Sequence, residues 1–114
     1  MSIQLYFHKR NFDTQKAERF FKERRVPYQA MDLKKHRLGQ KEVETFIRAS
    51  SARDILDLED IKVKSHPVAY TNDAQRIIDY VLENPRLLRT PIIRKGNKLV
   101  FGFDEQALEQ LTKE

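Results

Sequence analysis

Along the chain, the spacing of apolar positions changes period several times, and each change predicts an element. Ile3-Gln4-Leu5-Tyr6-Phe7 is rich in β-branched and aromatic residues, apolar at alternate sites, and reads as a strand. Past Asn11-Phe12-Asp13-Thr14 the period lengthens: Ala17, Phe20 and Phe21 recur at i, i+3 and i+4. Lys16, Glu18, Arg19, Lys22 and Glu23 mostly fill the opposite side. This predicts an amphipathic helix of about three turns, capped by Asp13 or Thr14 and stopped before Pro27. Tyr28 to Leu33 follows as a second strand. Strand, helix and strand at this spacing predict a right-handed βαβ unit with the two strands parallel.

Gln40 to Ala49 predicts a helix with Val43, Phe46 and Ile47 on one face, and Ser50 to Asp57 a short helical turn carrying Ile55 and Leu56. Leu58 to Tyr70 is polar, contains proline and matches neither period. Asn72 with Gln75 at N3 predicts a capping box for a helix bearing Ile77, Ile78, Val81 and Leu82, which ends at Asn84-Pro85. Thr90 to Arg94 and Lys98 to Gly102, joined through Lys95-Gly96-Asn97, predict an antiparallel hairpin. In the last helix Asp104 is the expected cap, Phe103 and Leu108 form a hydrophobic staple, and Ala107, Leu108 and Leu111 face inward. The order is β-α-β-α-(short α)-α-β-β-α in one domain spanning 1–114, with helices inserted at about 40–84. A βαβ unit followed by a ββα unit predicts an α/β, thioredoxin-like fold on a mixed four-stranded sheet.

Composition narrows the chemistry. The 114 residues suffice for one modest core. No apolar run approaches the ~20 residues of a membrane span, and no basic-then-apolar leader opens the sequence, so the expected location is the cytoplasm. Cysteine is absent, which excludes disulfides, thiolate nucleophiles and cysteine-ligated metals in this sequence. His8, His36 and His66 are far apart and lack an i,i+4 partner, so no metal site is expected. The net charge of +5 is permissive for acidic partners. Its densest cluster, Lys34-Lys35-His36-Arg37, carries no interleaved aromatic residues, and direct nucleic-acid binding is not expected.

Three stretches resemble the ArsC family, which includes arsenate reductases and Spx-type transcription regulators. Tyr6 to Ala17 resembles its strand-to-helix motif, in which Cys-x-Thr/Ser precedes Arg/Lys and Ala. "LLRTPII" (87–93) resembles the segment before its hairpin, and "KLVFGFDEQAL" (98–108) resembles its closing hairpin and helix. The resemblance places the ancestral redox site at Phe12, Thr14, Thr90 and Pro91, and implies a cis Thr90–Pro91 bond. The alternative is an ordinary trans proline opening an edge strand.

The residues depart from that pattern where the chemistry lies. Phe12 stands where the family keeps its cysteine, Thr90 stands where arginine commonly precedes the proline, and Glu59 aligns best with the mid-chain arginine. A phenyl ring cannot ionise or attack, so thiol-dependent arsenate reduction is not expected. Phe12 could be a recognition anchor or a partly buried plug filling the vacated space; the plug is the expectation. Lys9, Arg10, Asn11, Arg89 and Arg94 are candidate ligand or partner contacts, and Lys62 and Lys64 could join such a patch. The first helix could also bind an anion at its N-terminus, although Asp13 opposes one.

Two functions fit. The first is a cofactor-free, non-catalytic binding or regulatory protein; the resemblance to Spx-type members implies an RNA polymerase subunit as one kind of partner. The second is a cysteine-free, glutathione-dependent or small-molecule enzyme in which Tyr6, Thr14 or Arg89 activates the bound thiol.

Overall fold

Alternating and helical periods become elements close to where they are read. The computed structural model describes residues 2–113. Strands β1 (Ile3–Phe7), β2 (Tyr28–Asp32), β3 (Ile92–Lys95) and β4 (Lys98–Phe101) form one sheet in the order β2-β1-β3-β4. β1 runs parallel to β2, with Ile3 opposite Tyr28 and Phe7 opposite Asp32. It runs antiparallel to β3, which pairs antiparallel with β4. The helices are α1 (Phe12–Glu23), α2 (Gln40–Ala49), α3 (Ile61–Lys64), α4 (Ala74–Glu83) and α5 (Glu105–Lys113), with 3-10 turns at Pro67–Tyr70 and Pro85–Leu87. This is the expected βαβ–ββα thioredoxin-like arrangement on a mixed sheet.

The chain divides into two units, residues 1–36 with 90–114, and residues 37–89. The first holds the sheet, α1 and α5. Its core joins alternate positions of β1 (Ile3, Leu5, Phe7) to the α1 stripe (Ala17, Phe20, Phe21), Ile93 and two α5 leucines. Phe103 packs against that cluster, which contains Leu108, as the staple requires. Phe20 and Phe21 meet edge to face at 5.7 Å, and Phe21 lies 5.2 Å from the Tyr28 ring. α1 ends before Pro27: the Arg24 and Arg25 N–H groups bond back to the last turn, and Arg25 takes a left-handed φ of 55°.

The second unit buries Val43 and Phe46 of α2 and Ile77, Ile78 and Val81 of α4. Within the 50–57 stretch, expected as a short helical turn, residues 52–55 form a turn without becoming a helix; Ile55 and Leu56 are buried there, and Leu56 bridges Leu88 as an isolated β-pair. The unassigned 58–70 stretch becomes α3 and a 3-10 turn. Asp60 caps α3 through the Lys62 N–H, and His66 Nδ1 accepts from the Val68 N–H. Arg53 holds the segment from a distance, its Nη1 donating to the carbonyls of Ala69 (3.0 Å) and Thr71 (3.1 Å). α4 is capped by Asp73 rather than Asn72, because the Asp73 carboxylate accepts from the Gln75 N–H. The Gln75 side chain turns instead to Gln40 and Asp79. Asp104 caps α5 as expected, accepting from the Ala107 N–H at 3.1 Å.

Candidate functional site

Helix α1 is capped two residues before the first of the expected caps. Asn11, extended at ψ −177°, is the N-cap of α1, in place of the expected Asp13 or Thr14. Its Oδ1 accepts both the Thr14 N–H and the Thr14 hydroxyl at 2.8 Å. Its Nδ2 donates to the Thr90 carbonyl at 3.2 Å, 79 positions away. One side chain therefore caps the helix and fastens it to the approach of β3. Thr14 is fully buried with its hydroxyl consumed by this bond.

An Asn11→Ala variant loses both the cap and the long-range bond. It is expected to fall in stability by about 1–2 kcal/mol, read as a lower thermal midpoint, with Asn11→Asp restoring the cap but not the bond to Thr90.

Phe12, the first residue of α1, is 81% exposed, so the expected plug is corrected to an open ring. The physical reason is helical phase. With Asn11 as cap, the buried stripe runs through Thr14, Ala17 and Phe21, and Phe12 falls outside it. Lys16 lies one turn on from Phe12; it and Lys9 are exposed, and among the described residues their side chains form no hydrogen bond or ion pair.

The other predicted contacts are engaged locally. Arg10 lies over the Phe7 ring at 4.4 Å and donates from Nε to Glu18 at 3.1 Å. Arg94 is half-buried and donates from Nε to the carbonyl of Gly96 at 2.8 Å, within its own hairpin. Arg89 is exposed at the end of the second unit, its backbone N–H donating to the Ile55 carbonyl. Lys62 and Lys64 also lie in that unit, exposed on α3. The Thr90–Pro91 bond is cis, as the resemblance implies, and Pro91 is buried. The Pro91 carbonyl accepts from Gly102 N–H at 2.8 Å; Gly102 has φ +73°, which any side chain would strain. The Thr90 hydroxyl is buried and, among the described residues, without a hydrogen-bond partner.

Sequence reasoning missed Glu18. Its two carboxylate oxygens take Arg10 Nε and the Tyr28 hydroxyl (2.9 Å), tying the loop before α1 to the start of β2. Burial, then the bond to Glu18 and its charge, push the Tyr28 phenol up to about 12 from 10.0. A raised phenol pKa means that the folded state holds the proton more tightly. This contribution is complete below pH ~10 and is lost as pH rises toward ~12. Alkaline unfolding should show that decline, and Tyr28→Phe should remove it.

Among the described residues no group of three potential metal ligands occurs, and no helix is long and apolar enough to cross a membrane.

Comparison with known proteins agrees with this architecture. The model of the ArsC family matches residues 49–111. Among solved structures the chain is similar to the YffB protein at 19% identity, with a TM-score of 0.84 and coverage of 96% of this chain and 97% of that one. It is similar to an arsenate reductase (ArsC) related protein from Brucella melitensis at 22% identity, with a TM-score of 0.73 and coverage of 100% and 97%. An ArsC family related protein from Bacteroides fragilis matches at 16% identity, with a TM-score of 0.81 and coverage of 97% and 99%. No curated protein matches.

Proposed function

The chain belongs to the ArsC family, and on that premise we propose that it works as a non-catalytic binding protein whose recognition element is the α1 start, with Phe12 as anchor. The observation that carries this reading is the 81% exposure of Phe12, at the position where the resemblance places the family's nucleophile. An exposed aromatic ring on a rigid helix start gains most when it enters a partner's apolar pocket, and such anchors dominate interface energies. Lys9 precedes the ring by three residues and Lys16 follows it by one helical turn, both exposed and with side chains unpaired among the described residues, so the complementary surface is acidic around an apolar pocket. Asn11 keeps the element rigid by bonding to both Thr14 and Thr90, which lowers the entropy cost of docking.

The resemblance to Spx-type regulators makes the C-terminal domain of the RNA polymerase α subunit the first partner to test. With the purified domain from the same host, wild type should bind, and Phe12→Ala should weaken binding at least tenfold, as expected for an anchor. Phe12→Tyr should retain most of it. Equal binding by wild type and Phe12→Ala would remove the anchor, and no binding at millimolar concentration would remove this partner.

The enzyme reading gains less support. Thr14 donates its hydroxyl to Asn11, and the buried Tyr6 donates to Gln4 at 3.4 Å, so two of the groups it would use on a bound thiol are already committed. Calorimetry with millimolar glutathione tests it directly.

A further inference from the structure

The two edges of the sheet are built differently. β4 carries Lys98, a charge of the kind that discourages strand addition. β2, Tyr28-Gln29-Ala30-Met31-Asp32, contains no lysine, arginine or proline. The direction of its backbone groups follows from one bond: the Leu33 N–H donates to the Phe7 carbonyl at 2.8 Å, toward β1. Backbone direction alternates along a strand, so Gln29 and Met31 share that direction while Tyr28, Ala30 and Asp32 point away from the sheet. The Asp32 carbonyl is closed off, accepting from the Lys35 (2.9 Å) and His36 (2.7 Å) N–H groups. The N–H and C=O groups of Tyr28 and Ala30 have no partner among the described residues, and Gln29 and Ala30 are exposed.

Both ends of this open stretch are basic. Arg25 precedes it, Lys34 and Lys35 follow it, all three are exposed, and none forms an ion pair among the described residues. The acidic groups nearby are Asp32, whose carboxylate accepts the Lys34 N–H, Glu18, held by Arg10 and Tyr28, and the exposed Glu23. An antiparallel second copy would bring each Arg25 toward the other copy's Lys34 and Lys35, a like-charge contact that disfavours self-pairing.

We propose that the β2 edge accepts an extended acidic segment of another protein as a fifth strand, with its carboxylates set against Arg25 at one end and Lys34 and Lys35 at the other. Backbone bonds to Tyr28 and Ala30 supply the pairing, and the charged ends supply selectivity. Phe12 contributes no group to this pairing.

The test uses two peptides with the same alternating Val-Thr centre, one ending in Glu-Glu at both termini and the other in Lys-Lys. Amide exchange is followed by NMR on the full chain. The acidic peptide should slow exchange at Tyr28 and Ala30 and leave Gln29 and Met31, already directed at β1, unchanged; the basic peptide should do neither. Ala30→Pro removes an outward N–H without removing a bond to β1, and should weaken the acidic peptide roughly tenfold. The Lys34→Glu, Lys35→Glu double variant, altering only exposed side chains, should abolish the preference for acid even if Ala30→Pro unfolds. Phe12→Ala should bind the peptide as wild type does, which separates this edge from the anchor. No slowing by the acidic peptide at millimolar concentration, or equal binding of both peptides, overturns the proposal. So does protection of Tyr28 and Ala30 that rises with protein concentration alone, which would assign the edge to a second copy.

Discussion

A Phe12→Cys variant is expected to titrate as an acidified thiol, with a pKa about one unit below the ordinary ~8.5 of free cysteine. The cause is the helix start itself. Asn11 takes the Thr14 N–H, but the N–H groups of Phe12 and Asp13 have no partner among the described residues, so the positive end of α1 still faces position 12. Lys9 and Lys16 add to that field, while Asp13 subtracts from it. One unit raises the thiolate fraction at neutral pH nearly tenfold, and reaction with a disulfide reagent should quicken severalfold over an exposed surface cysteine. Because the ring is exposed, folding stability should change by no more than about 0.5 kcal/mol. Arsenate turnover should still be absent. Arg10 is held by Glu18, Arg94 by the Gly96 carbonyl, and Thr90 precedes the proline, so the oxyanion lacks its cationic clamp. Thiolate absorbance against pH reads the first expectation. A pKa at or above the ordinary value would show that the helix start exerts no such field at position 12.

Phe21→Ala should be the most damaging single change in the first unit, costing about 3–5 kcal/mol. Phe21 is fully buried, stands edge-on to Phe20 and packs against the Tyr28 ring, so it ties α1 to the start of β2. Truncation removes the ring's burial and leaves a cavity that the flanking rings cannot close without abandoning their own contacts. Against a total stability of roughly 5–15 kcal/mol, the loss would leave a large unfolded fraction at elevated temperature. Urea titration should show the midpoint fall sharply, and Phe21→Leu should recover more than half of the loss. A cost below about 1 kcal/mol would mean that this core is loosely packed.

Both expectations start from residues whose positions were legible to different degrees. Phe21 was plain, because the i, i+3, i+4 stripe of Ala17, Phe20 and Phe21 admits one buried face. Phe12 was misjudged, because a stripe does not say where its helix begins. Three residues in "NFDT" can each cap a helix, and choosing Asn11 instead of Asp13 rotates the ring from the expected interior to solvent. The same ambiguity moved the α4 cap from Asn72 to Asp73. The 58–70 stretch was illegible for another reason. It lacks a period, and its anchor is Arg53, bonded to carbonyls 16 and 18 positions away.

By itself, then, the sequence determined the order of the strands and the longer helices, the hairpin, the buried stripes and the absence of cysteine. Burial patterns are written into local spacing, and a missing cysteine is a fact of composition. Tertiary structure alone decided that Phe12 faces outward, that Arg10 and Tyr28 share Glu18, that Asn11 reaches Thr90, and that β2 is an open edge. Those outcomes depend on helix phase and on partners brought together by chain closure, which neither period nor propensity encodes.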